Sequence, residues 1–261
     1  MPRLLHSCAR DTTAAVVFSF DMDSHVDKKH PLMVCFEKLF AEVVPSWKVL
    51  LLSLTIVDIT AQCRLFFVAG TDTVMAAMMA LAYLLALNPE CQEKLINEID
   101  AAVKKDGVTY ESIQSMVYLE ACAKEAMRMY PAAMFLMRTC TEETTLAGIN
   151  FKPGMNVDIP IAGIHYDPEF YPDPESFKPE RFLPENKDSH TPYTYLPFGS
   201  GPRNCVGIRM GYLIVKVVFA CLLQHVKFGT CPETMIPLKL KPRCLLPLPR
   251  RSVMLQVYSR T

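Results

Sequence analysis

The stretch Phe198-Gly199-Ser200-Gly201-Pro202-Arg203-Asn204-Cys205-Val206-Gly207 decides the reading of this chain. Three glycines in ten residues let the backbone pass close to something flat. An apolar, helix-compatible run, Val206–Val226, follows at once, so a tight loop delivers Cys205 to the start of a helix. The unpaired N–H groups and the dipole at such a start favour a thiolate. Arg203 adds a cation two residues before the sulfur. An isolated cysteine in a glycine turn reads as a buried small side chain. Here Phe198, Gly201, Arg203, Cys205 and Gly207 fit one spaced pattern, F-x-x-G-x-R-x-C-x-G.

Upstream, Gln62 to Leu87 reads as one long apolar helix rich in Ala, Leu and Met. Ala69-Gly70-Thr71-Asp72-Thr73 interrupts it. A mid-helix glycine costs about 1 kcal/mol relative to alanine, and a threonine hydroxyl can bond back to the carbonyl four residues earlier. The result is a groove with an acid and a hydroxyl at its mouth; small-residue helix packing gives the same composition. Asn88 then suits a helix cap and Pro89 a first helical position. Cys91, Leu95, Ile99, Ala102 and Val103 form an apolar stripe that Asp106-Gly107 ends. Thr109 caps a short helix through Met116. Tyr118–Tyr130 forms another, closed by Pro131.

Beyond it, 142–164 reads as short strands with turns at Ala147-Gly148 and Pro153-Gly154. Ten of the 20 prolines fall within 153–202, a density that predicts neither helix nor central strand. A long irregular stretch of this kind in a compact domain is usually functional. The tail 227–261 carries seven Lys/Arg against one acid, Glu233, and reads as a β-hairpin. Residues 1–60 are less legible. Asp21, Asp23, His25, Asp27 and His30 read as a solvated turn, because their spacing matches no metal geometry. Glu37–Val43 reads as a short helix, and Val49–Val57 is apolar without a period.

The chain has 261 residues, 51% hydrophobic and 21% charged, enough for a sizeable core. Net charge is zero, which argues against a nucleic-acid partner. The ten cysteines include no C-x-x-C pair, so zinc-ribbon and thioredoxin-like readings fall. The thiols read as reduced and mostly buried. The longest apolar run, Val74–Leu87, has fourteen residues, short of a membrane span.

The Phe198–Gly207 segment resembles the heme-binding loop of the cytochromes P-450, the heme-thiolate monooxygenases. The resemblance implies heme b with Cys205 as the metal ligand, its electron push favouring O–O cleavage; Phe198, Gly199, Gly201 and Gly207 shape the same loop. Ala69–Thr73 is similar to the family's oxygen-activation motif, A-G-x-[D/E]-T. This implies that Thr73 hydrogen-bonds the bound dioxygen and that Asp72 relays protons; Val74 replaces a second hydroxyl common in the family. Glu125 and Arg128 at i, i+3, by default a surface ion pair, fit the motif E-x-x-R. Lys178-Pro-Glu-Arg181-Phe182 resembles P-E-R-F. Together Glu125, Arg128 and Arg181 are implied to be a buried charge triad that locks the proline-rich meander. Arg138 and Arg203 resemble the family's heme-propionate clamps. Ala132, Ala133, Met134 and Leu136 resemble a substrate-lining segment, although core packing would look the same.

The resemblance implies a mainly α fold with small β sheets, and it is strongest with the microsomal drug-metabolising and thromboxane-synthase-like branch. On this reading 55–261 is the heme-binding core and 1–54 a remnant of the segment before the substrate lid. The chain has about half the usual family length. It shows no N-terminal anchor. No W-x-x-x-R motif follows Trp47, where Leu51 stands in the arginine position. The resemblance implies that the lid helices are deleted between about Trp47 and Leu54. The expected reaction inserts one atom of O2 into a lipophilic small molecule. Electrons come from NADPH through cytochrome P-450 reductase, with a cytochrome b-type donor as a second source. The alternative is a truncated product that binds heme without turnover or does not fold. The implied location is the cytosolic face of the endoplasmic reticulum membrane, and without an anchor the cytoplasm.

Overall fold

The computed structural model describes residues 54–241 and 249–260. The polar cluster at 21–30, the helix expected at 37–43, Trp47, Leu51 and the inferred lid deletion lie outside the described residues.

Helix α1, Leu54–Leu87, is continuous through Gly70. Thirty-four residues at 1.5 Å each make a rod of about 50 Å. It starts eight residues earlier than periodicity suggests, so the aperiodic Leu54–Val57 is helical as well. From Val74 to Ala86 almost every side chain is buried, whichever face it occupies. A helix apolar all round belongs at the centre of a domain, and α1 packs on α2 (Pro89–Asp106), α4 (Val117–Met129), α6 (Ile208–His225) and strand β5 (Val226–Gly229). Its earlier part is different: Leu65, Phe66 and Val68 are exposed.

The local signals around α2 hold with one exchange of roles. Asn88 and Pro89 start the helix, yet the Asn88 side chain makes no N-cap bond. Its Nδ2 donates instead to Leu84 O at 2.7 Å, sealing the end of α1. The buried face of α2 is Gln92, Leu95, Ile96 and Ile99, and Cys91, Ala102 and Val103 of the expected stripe pack partly buried against the same core, so the stripe holds and is widened by a polar residue. Gln92 is satisfied there. Its Nε2 donates to Leu85 O and Phe228 O, and its Oε1 accepts from Phe228 N at 2.7 Å. Thr109 caps α3, Tyr110–Ser115, through a reciprocal pair with Ser112.

Between α4 and α6 lie two antiparallel strand pairs. Strand β1, Leu136–Thr139, pairs with β4, Asn156–Ile159. Strand β2, Thr144–Leu146, pairs with β3, Ile149–Phe151, around the Ala147-Gly148 turn, where both residues have positive φ. Strand β1 was not foreseen, and α5, Ile161–His165, corrects the expectation of no helix among the prolines. Pro160 sits before its first turn, where a missing N–H costs nothing. From Tyr166 to Gly207 the expectation holds: 3-10 turns at Pro179–Phe182, Pro184–Ser189 and Gly201–Arg203 interrupt irregular chain. The tail returns as β6, Gln256–Ser259, antiparallel to β5. The fold is thus mainly α with small sheets, as expected.

Two expectations need correction. Arg64–Leu87 and Ile208–His225 are long and apolar enough to cross a membrane by length and composition. Residues before Asp72 extend the apolar run, and both helices contribute to one core. Of the six cysteines whose side chains are described only Cys122 is fully buried; Cys205 and Cys221 are exposed.

Candidate active site

Three segments converge beside the middle of α1. The first is α1 itself. Thr73 Oγ1 donates to Ala69 O at 2.5 Å, the back-bond anticipated from sequence. Thr73, Val74 and Ala77 form one wall of a small apolar cavity of about 30 Å³. Met127 and Ala132 add a second side. Pro197, Phe198, Gly211 and Val215 close the third. Asp72, next to Thr73, is partly exposed.

The loop before α6 takes its shape from two glycines and one hydrogen bond. Gly199 has φ +70° and Gly201 φ +78°, the left-handed region where a β-carbon is strained. A β-carbon at Gly199 would also come within 3.2 Å of Leu136 Cδ1. Cys205 N donates to Phe198 O at 2.9 Å, which closes the loop. Cys205 is exposed, and Gly207 N donates to its Sγ at 3.3 Å. Gly207 is the residue that caps α6, so the sulfur sits just ahead of the helix. Phe198 lies against Tyr212, ring centroids 5.1 Å apart. A β-carbon at Gly211 would stand in ordinary contact with the Phe198 ring, at 3.4 Å.

The expected sites are therefore only partly gathered. Thr73, Ala132 and Phe198 line one cavity. Cys205, Arg203 and Arg138 are exposed and are not among its lining residues. Arg138 Nη1 bonds the Met137 carbonyl, and among the described residues neither arginine has a carboxylate partner. Ala133, Met134 and Leu136 are partly buried on the chain leaving α4, and Met134 O accepts from Ala162 N.

Behind the loop, Glu125, Arg128 and Arg181 meet. Arg128 Nε and Nη2 grip the two oxygens of Glu125 at 2.7 and 3.0 Å, and both side chains are fully buried. Arg181 Nε reaches Glu125 Oε1 at 3.3 Å, and Lys178 N donates to the same oxygen. The guanidiniums spend their remaining donors on the proline-rich chain: Arg128 on His165 O and Pro174 O, Arg181 on Pro172 O and Asp173 O. The i, i+3 pair is thus no surface pair. Each nitrogen of the fully buried Arg128 guanidinium has a carbonyl or carboxylate partner, the condition for burying charge.

Sequence reasoning overlooked His165, Tyr195 and Glu98. His165 is buried, with Nδ1 3.0 Å from Arg128 O and Nε2 accepting from Leu196 N at 2.9 Å. Burial is the first cause that depresses its pKa, to about 4, and the nearby Arg128 charge adds to it. Tyr195 Oη donates to Lys124 O and meets Tyr212 Oη at 3.1 Å; burial raises its pKa. Glu98 accepts from Tyr118 N and Leu119 N at 2.7 and 2.8 Å and so caps α4 from a neighbouring helix. No periodicity signals such contacts.

The residues present fit a heme. The donor chemistry is an exposed sulfur just ahead of a helix, a threonine hydroxyl on a small apolar cavity that Phe198 also lines, and two exposed arginines without carboxylate partners among the described residues.

The cytochrome P450 family model matches residues 48–257. Among curated relatives, cytochrome P450 3A9 of Rattus norvegicus is 43% identical over 209 residues, covering 80% of this chain and 41% of the relative. Cytochrome P450 3A2 of the same species is 39% identical over 241 residues, covering 91% and 48%. Probable cytochrome P450 6a13 of Drosophila melanogaster is 44% identical over 198 residues, covering 74% and 40%. The chain spans less than half the length of these relatives. A family match across most of its residues, falling on the same helix, loop and buried ion pairs, establishes that the chain belongs to the cytochrome P450 family.

Proposed function

We propose that the chain carries the heme half of a monooxygenase that inserts one atom of O2 into a lipophilic small molecule. The observation that carries this is the placement of Cys205 at the mouth of a glycine loop that walls the same cavity as Thr73. Heme b held by Cys205 would supply dioxygen binding and its reductive activation. The residues do the rest. The Gly207 N–H donates to the sulfur and stabilises its anionic form. Arg203 and Arg138 offer planar guanidiniums to the two carboxylates of the cofactor.

Thr73 holds a proton at Oγ1. Its present acceptor is the Ala69 carbonyl, so delivery into the cavity requires that hydroxyl to turn away from the helix. Asp72 resupplies the proton from the partly exposed side. The apolar lining keeps water from competing with substrate, and Ala132, Ala133, Met134 and Leu136 present an apolar edge to it. Electrons arrive from NADPH through a flavoprotein reductase, with a cytochrome b-type donor as an auxiliary, at the exposed face around Cys205. The site of action is the cytosolic face of the endoplasmic reticulum membrane. The non-catalytic alternative is not favoured, because each nitrogen of the buried Arg128 guanidinium is paired, as an intact core requires.

The deciding experiment is the reduced, carbon-monoxide-bound difference spectrum of chain expressed with heme, beside Cys205→Ser. A strongly red-shifted Soret band that the variant loses supports the reading. An imidazole-like or thiol-like band position in the unaltered chain would refute thiolate ligation. Reductase-supported oxidation of a lipophilic probe then tests turnover.

A further inference from the structure

His165 lies at the end of α5, within the proline-rich chain, with no surface exposed to solvent. A main-chain N–H can only donate. The contact from Leu196 N at 2.9 Å therefore leaves Nε2 without a proton, and the ring proton sits on Nδ1, which donates to Arg128 O at 3.0 Å. The same residue's carbonyl accepts from Arg128 Nη1 at 2.7 Å. Ring and backbone together clamp the last turn of α4.

The other side of the ring leads to the cysteine. Leu196 O accepts from Gly199 N at 3.0 Å, and Phe198 O accepts from Cys205 N at 2.9 Å. Displacing Leu196 thus displaces the residues that close the loop. The ring is wedged in place, stacked on Tyr195 at 5.7 Å and edge-on to Tyr171 at 6.3 Å.

We propose that His165 is a positioning residue: its neutral ring sets the cysteine loop at a fixed height on α4 by joining Arg128 O to Leu196 N. This rests on the reading of Cys205 as the metal ligand. Protonation would undo the link, because Nε2–H would face the Leu196 N–H. The charged and titratable groups around the ring are Arg128 and its partner Glu125 from α4, Tyr171 and Tyr166 from the proline-rich chain, and Tyr195 from the loop's approach. The Arg128 cation opposes a second positive charge here, in agreement with a pKa held near 4.

The test uses the full chain, with imidazole nitrogen-15 shifts and amide hydrogen exchange, before and after hemin is added. The expected result is an Nδ1–H tautomer at pH 7 that does not titrate down to about pH 5. Leu196 should exchange slowly. In His165→Phe, exchange at Leu196, Gly199 and Cys205 should accelerate about tenfold or more while α4 and α6 stay protected. The red-shifted carbon-monoxide band should weaken in parallel. His165→Gln, whose Oε1 can accept from Leu196 N, should restore both. An Nε2–H tautomer, titration near the ordinary histidine value, or Leu196 exchange unchanged in His165→Phe would each overturn the proposal. If His165→Phe does not fold, the wild-type tautomer and Leu196 protection decide. A wild-type chain with the predicted tautomer but no red-shifted band would refute the ligand role of Cys205 and leave the link itself standing.

Discussion

Thr73 and Glu125 show how single residues acquire different weight from similar sequence signals. Each belongs to a short motif on a helix. Thr73 faces a cavity with its hydroxyl committed to Ala69 O. Thr73→Val keeps the shape and loses the hydroxyl's bond to Ala69 O, so stability should change by only about 1 kcal/mol. Heme-loaded chain supplied with reductase should then release more peroxide per NADPH and less product, read from the ratio of the two. An unchanged ratio would remove Thr73 from proton delivery. Glu125 faces two guanidiniums and a main-chain N–H. Glu125→Ala strands all three, and breaking a buried network from one side costs about 3–5 kcal/mol. Urea denaturation should show this as a lower midpoint; a loss under about 1 kcal/mol would mean that water replaces the carboxylate.

At the scale of elements, the helices are held by each other's side chains as much as by their own. The cap of α4 comes from Glu98 of α2, whose two oxygens take the N–H groups of Tyr118 and Leu119. A carboxylate at a helix start is also attracted by the positive end of the helix dipole. Glu98→Ala should lower stability by about 1–2 kcal/mol, with hydrogen exchange accelerated first at Tyr118 and Leu119. Uniform acceleration would contradict a local cap. Gln92 plays the comparable part between α1, α2 and β5. A buried glutamine making three such bonds replaces what would have been a leucine in a purely apolar interface.

For the whole molecule, the consequence of burying His165 is a dependence of stability on acid. Its folded pKa, about 4, lies below the unfolded value near 6.5. Above pH 6.5 neither state takes the proton and the stability is fully present. As pH falls toward 4 the unfolded chain binds a proton that the folded chain refuses. Stability from this group should therefore decline by roughly 3 kcal/mol across that window. Denaturant midpoints at pH 7, 6, 5 and 4 check this. The slope should vanish in His165→Gln, and a slope equal in that variant and the parent would assign the acid dependence elsewhere.

What the sequence determined by itself was local. The apolar run of α1, the Thr109 cap, the Ala147-Gly148 turn and the proline-rich stretch each follow from a few adjacent residues, because backbone sterics and helical or strand periodicity act over one or two turns. The glycine loop and its cysteine were legible for the same reason, since the spacing of Phe198, Gly201, Arg203, Cys205 and Gly207 lies within ten residues. Tertiary structure alone decided what those pieces meet. It buried the Glu125–Arg128 pair, turned Asn88 back onto α1, placed Glu98 at another helix's start, and gave His165 a carbonyl on one side and an N–H on the other. The contacts of Glu98 and His165 join residues 20 to 37 positions apart. They exist because a dry interior requires every polar group to find a partner, wherever in the chain that partner lies.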